Sequence, residues 1–251
     1  MDLRYTLPPM LLSLLMASAF AAPTGDPVPL LDEGRFIIGA RLGAESLWEK
    51  DTSCQEVPGD SSSCGGSWRH GGYSATGHLV IVDGVSIDGE LGWMGDELRQ
   101  AQFSGAGLSS AVGVRGGIPV GATGWWLSGV GRYESGVGKS NTTDGYEENA
   151  YRLGTLTGTL AWRDSNISTW GGVQRALLWK HTVEHRVNPA ENDPRYQVVL
   201  ASGFPVSGVL GIEIISEPLG PGWTPDWRIS VGAEGSLGLS QGAHFWAAFR
   251  Y

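Results

Sequence analysis

Apolar and polar residues alternate with period two through most of this chain, and no stretch of about 18 apolar residues follows Ala22. Together these features exclude a helical membrane span and call for strands whose two faces meet different surroundings. Val85, Ile87, Leu91 and Trp93 share one face; Ser86, Asp88 and Glu90 share the other. Phe36, Ile38, Ala40 and Leu42 oppose Arg41, Gly43 and Glu45 in the same way. So do Trp227, Ile229, Val231 and Ala233 against Arg228, Ser230, Gly232 and Glu234. A helix would set Asp88 beside Leu91, mixing the two classes on one side. The chain reads as all-β.

Alternation alone does not say whether the apolar faces point inward or outward. Composition favours outward. Charged residues are 17% of the chain, against about 25% in ordinary soluble domains. The 39 glycines and 11 tryptophans suit strands that face lipid and are bordered by aromatic girdles. Trp48, Trp93, Trp125, Trp179 and Trp227 fall near strand ends, where girdle residues sit. Trp68 and Trp223 fall in polar connections, with sugar stacking as the functional alternative. A net charge of −9 without a basic stripe excludes nucleic acid as a partner, because binding phosphates needs clustered cations.

The first residues read as an export signal over 1–21: Arg4 as the positive start, Met10 to Met16 as the apolar stretch, Ala19 and Ala21 as the cleavage site. Residues 22–34 read as a flexible periplasmic leader, and 35–251 as the β domain. In an exported protein, Cys54 and Cys64 in their Ser/Gly-rich setting predict a disulfide. It would be worth ~2–3 kcal/mol in the loop-entropy picture. Two sulfurs without paired histidines do not complete a zinc shell, so no metal is expected, and no cofactor.

At the other end, Phe245, Ala247, Phe249 and Tyr251 line one face of Ala243 to Tyr251. This resembles the C-terminal recognition signal of bacterial outer-membrane β-barrel proteins, which closes on an aromatic residue and is read by the barrel-assembly machinery. His244 matches the signal's polar position, and Phe249 and Tyr251 match its closing pair; Trp246 stands where the signal usually has glycine. The resemblance implies an antiparallel transmembrane β-barrel in the cell outer membrane. Its expected partners are outer-membrane lipid, lipopolysaccharide and the assembly machinery. No substrate is implied, and nothing in the sequence fixes an oligomeric state.

Eleven strand-like segments are legible: 35–48, 72–82, 85–94, 102–115, 124–134, 149–162, 167–180, 196–204, 208–216, 226–237 and 243–251. Single-chain barrels of this kind take even strand numbers. Reading Phe204 to Gly208 as a kink inside one long strand gives ten, with eight or twelve as alternatives. Asp83 with Gly84, and Arg163 to Asn166, read as tight turns. The hydrophilic segments 49–71, 95–101, 135–148 and 181–195 read as long loops on the opposite side.

With apolar faces toward lipid, the inward face carries Arg41, Glu45, Asp88, Glu90, Arg115, Arg132, Glu134, Glu213, Arg228 and Glu234. In a narrow barrel such groups must pair and fill the interior; a narrow hydrophilic path is the sharper alternative. His78 reads as a lumen residue and His244 as a rim residue. His181, Glu184 and His185 are the nearest approach to a catalytic set and read as solvated loop residues. No catalytic residue is assigned. The expected role is structural, passive-transport or surface-interacting. The alternatives are an outer-membrane enzyme acting on lipid A or surface peptides, and a soluble periplasmic lipocalin-like binding barrel.

Overall fold

The structure, a computed structural model, describes residues 25–48, 67–98, 103–142, 145–186, 196–200, 206–220, 227–238 and 240–251. A 3-10 turn at Leu31–Glu33 precedes the strands β1 (Phe36–Trp48), β2 (Ser67–Val82), β3 (Val85–Leu98), β4 (Phe103–Pro119), β5 (Trp125–Thr142), β6 (Gly145–Arg163), β7 (Ile167–Arg186), β8 (Tyr196–Leu200), β9 (Val206–Ile215), β10 (Arg228–Gly238) and β11 (Ser240–Arg250). Each strand from β1 to β7 pairs antiparallel with the next. The ring continues β7–β9–β10–β11, and β11 closes on β1 along its length. The result is a closed ten-strand antiparallel barrel.

β8 does not add an eleventh stave, because it continues β9 along β7. Arg175 faces Val206 and His181 faces Leu200, so both chains advance equally and the two pairings share one register. Phe204 lies within the interval 201–205, outside the described residues.

Side chains alternate across the wall. Along β6, Tyr151, Leu153, Thr155, Thr157, Thr159, Ala161 and Arg163 are buried, whereas Leu156 and Leu160 are exposed. Small hydroxyl-bearing residues suit the narrow interior. On the outside, Ile38, Leu91, Leu108, Val112, Leu210 and Leu237 are between 62% and 71% exposed. An apolar belt on that scale is stable only against acyl chains. This polarity is the reverse of a lipocalin-like barrel, and the soluble alternative is set aside on that ground.

Both ends of the barrel chain meet at one rim, where Phe36 and Tyr251 exchange backbone hydrogen bonds of 2.7 and 2.8 Å. The same rim carries the short connections 83–84, 120–124 and 164–166, which makes it the periplasmic side. Gly84 has φ +75°, and a Cβ there would lie 2.9 Å from the Gly117 carbonyl oxygen, so this turn demands glycine. Trp227 stacks near Phe249 and Tyr251 at 6.0 and 5.5 Å, forming part of the aromatic border.

Two expectations are corrected. Residues 67–71, 95–98, 135–142, 145–148 and 181–186 are strand rather than loop: β2 starts at Ser67, β3 reaches Leu98, β5 and β6 pair out to Thr142 and Gly145, and β7 reaches Arg186. Beyond the bilayer the outer face meets water while the inner face keeps polar groups such as Asp96 and Asn149, so the apolar period fades while the hydrogen-bond ladder continues. His181, Glu184 and His185 therefore stand on β7, paired to both β6 and β8. The leader is the second correction. Residues 25–29 are buried, as are Glu33 and Gly34. Cys54, Cys64 and Trp223 lie outside the described residues.

Candidate functional site

The candidate site is the barrel interior, which is filled in three levels. At the periplasmic end, residues 25–34 form a plug. Val28, fully buried, packs with Ala161 and Trp170, and Leu30, Trp126 and Trp246 border the cluster. That burial contributes ~1.5–3 kcal/mol. Arg115 donates to the carbonyls of Gly25 (3.0 Å) and Asp26 (2.9 Å). Arg163 pairs with Asp26 and Glu33 and also donates to the Val28 carbonyl. Arg250 reaches Glu33 at 3.1 Å and Glu213 at 2.6 Å. The Asp26 amide donates to Glu213 (2.9 Å), and Ser168 donates to the Asp26 carboxylate (3.0 Å). The Asp83–Gly84 turn clasps the segment from below. Leu31 N–H donates to the Asp83 carboxylate (2.8 Å), and Gly84 N–H donates to the Pro29 carbonyl (3.0 Å). Burial pushes the Glu33 carboxyl up to about 7, against the pull of Arg250.

The middle level is a charge lattice. Glu90 lies between Arg41 (2.7 Å) and Arg132 (2.5 Å). Asp88 takes Arg115 at 3.0 Å and Arg132 at 3.5 Å. Arg132 also faces Glu134 at 3.5 Å, and Tyr151 O–H donates to Glu134 at 2.8 Å. Alternating signs offset the desolvation that each ion would suffer alone. Glu234 is the exception. Trp170 donates to one of its oxygens at 2.7 Å, and among the described residues the other has no hydrogen-bond partner. His244 stands opposite Glu234 on β11 and is wholly buried. It belongs to the interior and not to the rim, because its strand position shares parity with Arg250 and Ala248.

Toward the cell surface an aromatic cluster lies inside the bore. Trp68, His70 and Tyr151 are each 1% exposed, with ring centroids 4.8 to 5.2 Å apart. His70 Nδ1 pairs with Asp96, and Asn149 donates to the second Asp96 oxygen at 2.7 Å. Trp68 is therefore an interior packing residue and not a loop aromatic.

The interior brings together Arg41, Asp88, Glu90, Arg115, Arg132, Glu134 and Glu213, with Glu234 beside them. Arg228 is half-buried at the periplasmic mouth, in line with Arg250. Glu45 stands on β1 opposite Gly242; its side chain lies outside the description. Asp26, Glu33, Arg163, Arg250, His70 and Asp96 were not anticipated. Arg163 and Arg250 carry a usable signal, since each continues the polar parity of its strand. His70 and Asp96 lie where the apolar period has faded, and the leader acids have no period to follow.

A closed antiparallel ring, an apolar outer belt, aromatic borders and a polar interior define a transmembrane β-barrel of the bacterial outer membrane. No protein-family model matches the chain, and no curated protein matches it. Among solved structures it is similar to the translocator domain of the autotransporter NalP from Neisseria meningitidis, at 11% identity and TM-score 0.46 over 87% of this chain and 88% of that one. It is also similar to the β domain of the Bordetella autotransporter BrkA, at 14% identity and TM-score 0.43 over 86% and 99%. A third likeness is to the transport unit of the autotransporter AIDA-I from Escherichia coli, at 13% identity and TM-score 0.36 over 96% of each chain. At these identities and TM-scores the likenesses assign no role.

Proposed function

We propose that this barrel is closed to permeation and serves as a membrane-anchored interaction platform at the cell surface. The observation that carries this reading is the filled bore: plug, charge lattice and aromatic level succeed one another, and the cavity beside Gly25, Asp26 and Trp246 is only about 20 Å³. That is room for about one water. The surface-side extensions of β5, β6 and β7 supply the platform. The His70–Asp96 pair is sealed from substrate, with side chains 1% and 0% exposed, and is read as structural. Export through the signal at 1–21, the Cys54–Cys64 disulfide, and an assembly address in Phe245, Phe249 and Tyr251 belong to the same proposal.

Planar-bilayer recording of the purified full-length barrel tests it. Fusion of folded protein without regular unitary current steps is the expected result. Reproducible steps from the wild-type barrel would establish a narrow pore and overturn the closed reading.

A further inference from the structure

The outer wall carries a groove of about 1190 Å³ that runs across β1 to β6. Its floor is built from small residues, Ala75, Ser110, Ser135 and Ala150, between the larger Trp93 and Tyr133. Ser110 and Ser135 are register partners whose hydroxyls lie 3.4 Å apart, an unusual polar spot on a lipid-facing surface. The same register row continues to Arg152 on β6, which lines the groove and is exposed. Among the described residues no carboxylate pairs with Arg152; Glu148, on the same face of β6, is taken by Lys139 at 3.0 Å. An exposed guanidinium that no protein carboxylate pairs is a place for a ligand anion.

Height along the wall identifies the anion's source. Arg152 stands eleven residues above Arg163, the periplasmic end of β6. At about 3.4 Å per residue and a tilt of roughly 40°, this is about 28 Å, the upper edge of an apolar belt about 25 Å tall. A guanidinium at that level meets the phosphates of the outer leaflet and matches their geometry with paired donors. Six strands spaced about 4.8 Å apart make the groove roughly 24 Å wide, enough for several acyl chains abreast.

We propose that this groove is a binding site for a phosphorylated, multiply acylated glycolipid of the outer leaflet, with phosphate on Arg152 and acyl chains over the Ser110–Ser135 floor. The site is independent of whether the bore conducts.

The test counts bound lipid by native mass spectrometry on the full-length barrel, after incubation in detergent with either purified lipid A or phosphatidylglycerol. Wild type retains lipid A in preference to phosphatidylglycerol. Arg152→Glu lowers lipid A retention about tenfold, the equivalent of one charge-assisted contact. Ser135→Phe, which fills the floor without changing charge, also lowers it. Arg175→Gln, at an exposed position on the outer face away from the groove, leaves it unchanged. Heat-modifiable mobility certifies that each variant is folded, and if one of the groove variants misfolds the other decides. Equal retention of lipid A by wild type and the folded groove variants overturns the site, as does equal retention of phosphatidylglycerol by wild type.

Discussion

Glu90 and Glu234 are both buried carboxylates, yet they stand in opposite electrostatic settings. Glu90 bridges Arg41 and Arg132, so removing its charge takes from Arg41 its ion-pair partner among the described residues and leaves Arg132 to the more distant Asp88 and Glu134. Among the described residues Glu234 receives only the Trp170 indole N–H, and His244 stands opposite it. Glu90→Gln is therefore expected to destabilise the folded barrel by about 3–5 kcal/mol, the usual result of breaking a buried pair. Glu234→Gln keeps an acceptor for Trp170 and removes a buried acid that no cation pairs among the described residues, and is expected to stay within about 1 kcal/mol of wild type or to exceed it. Urea titrations of the folded barrel in detergent check both, and equal losses would contradict the charge-lattice account. At this scale, residues on a strongly alternating strand were legible from parity alone, as Asp88 and Glu90 are. Asp26 and Glu33 were not, because a segment without periodic structure gives no face to assign.

Among the elements, the plug is what changes the character of the barrel. Hydrogen bonds and ion pairs from side chains hold much of it, with the turn at Asp83 and Gly84 as a clasp. Its docking is therefore linked to protonation. In water Glu33 titrates near 4.5; in the docked plug, burial raises it to about 7. Below pH 4.5 the group is protonated in both states and its contribution to docking is complete. As pH rises from 4.5 through 7 the docked group must ionise in a buried site, and that contribution is lost. Exchange at the Leu31 amide, corrected for the intrinsic rate, is thus expected to be slower at pH 5 than at pH 8, and Glu33→Gln should flatten the difference. Faster corrected exchange at pH 5 would contradict the linkage. Strand identity was largely legible, because a wall between lipid and a polar bore imposes period two. The surface-side ends of β5, β6 and β7 were not legible, since above the bilayer the outer face is polar too, which removes the contrast that the period reports. The pairing of β8 and β9 in one register explains why two segments read separately belong to a ten-strand ring.

For the whole molecule, the governing fact is an inverted distribution of polarity. Carboxylates and guanidiniums pair inside, while Leu91, Val112, Leu160 and Leu210 face outward. A bilayer makes this arrangement stable by removing the penalty for the apolar exterior and leaving the ions to satisfy one another. The composition carried that message early, in a charge content too low for a surface bathed in water. The filling of the bore was beyond reach from sequence, since it depends on where a non-periodic segment docks within a closed ring.

The most direct measurement places a nitroxide at Leu160 or Val112 on the outer face, and at Thr157 on the inner face, with Cys54 and Cys64 replaced by serine. In bilayers, labels at Leu160 and Val112 should relax rapidly with dissolved oxygen and weakly with a water-soluble nickel chelate. The Thr157 label should be shielded from both. Strong nickel relaxation at Leu160 and Val112, with oxygen-rich surroundings at Thr157, would contradict the account.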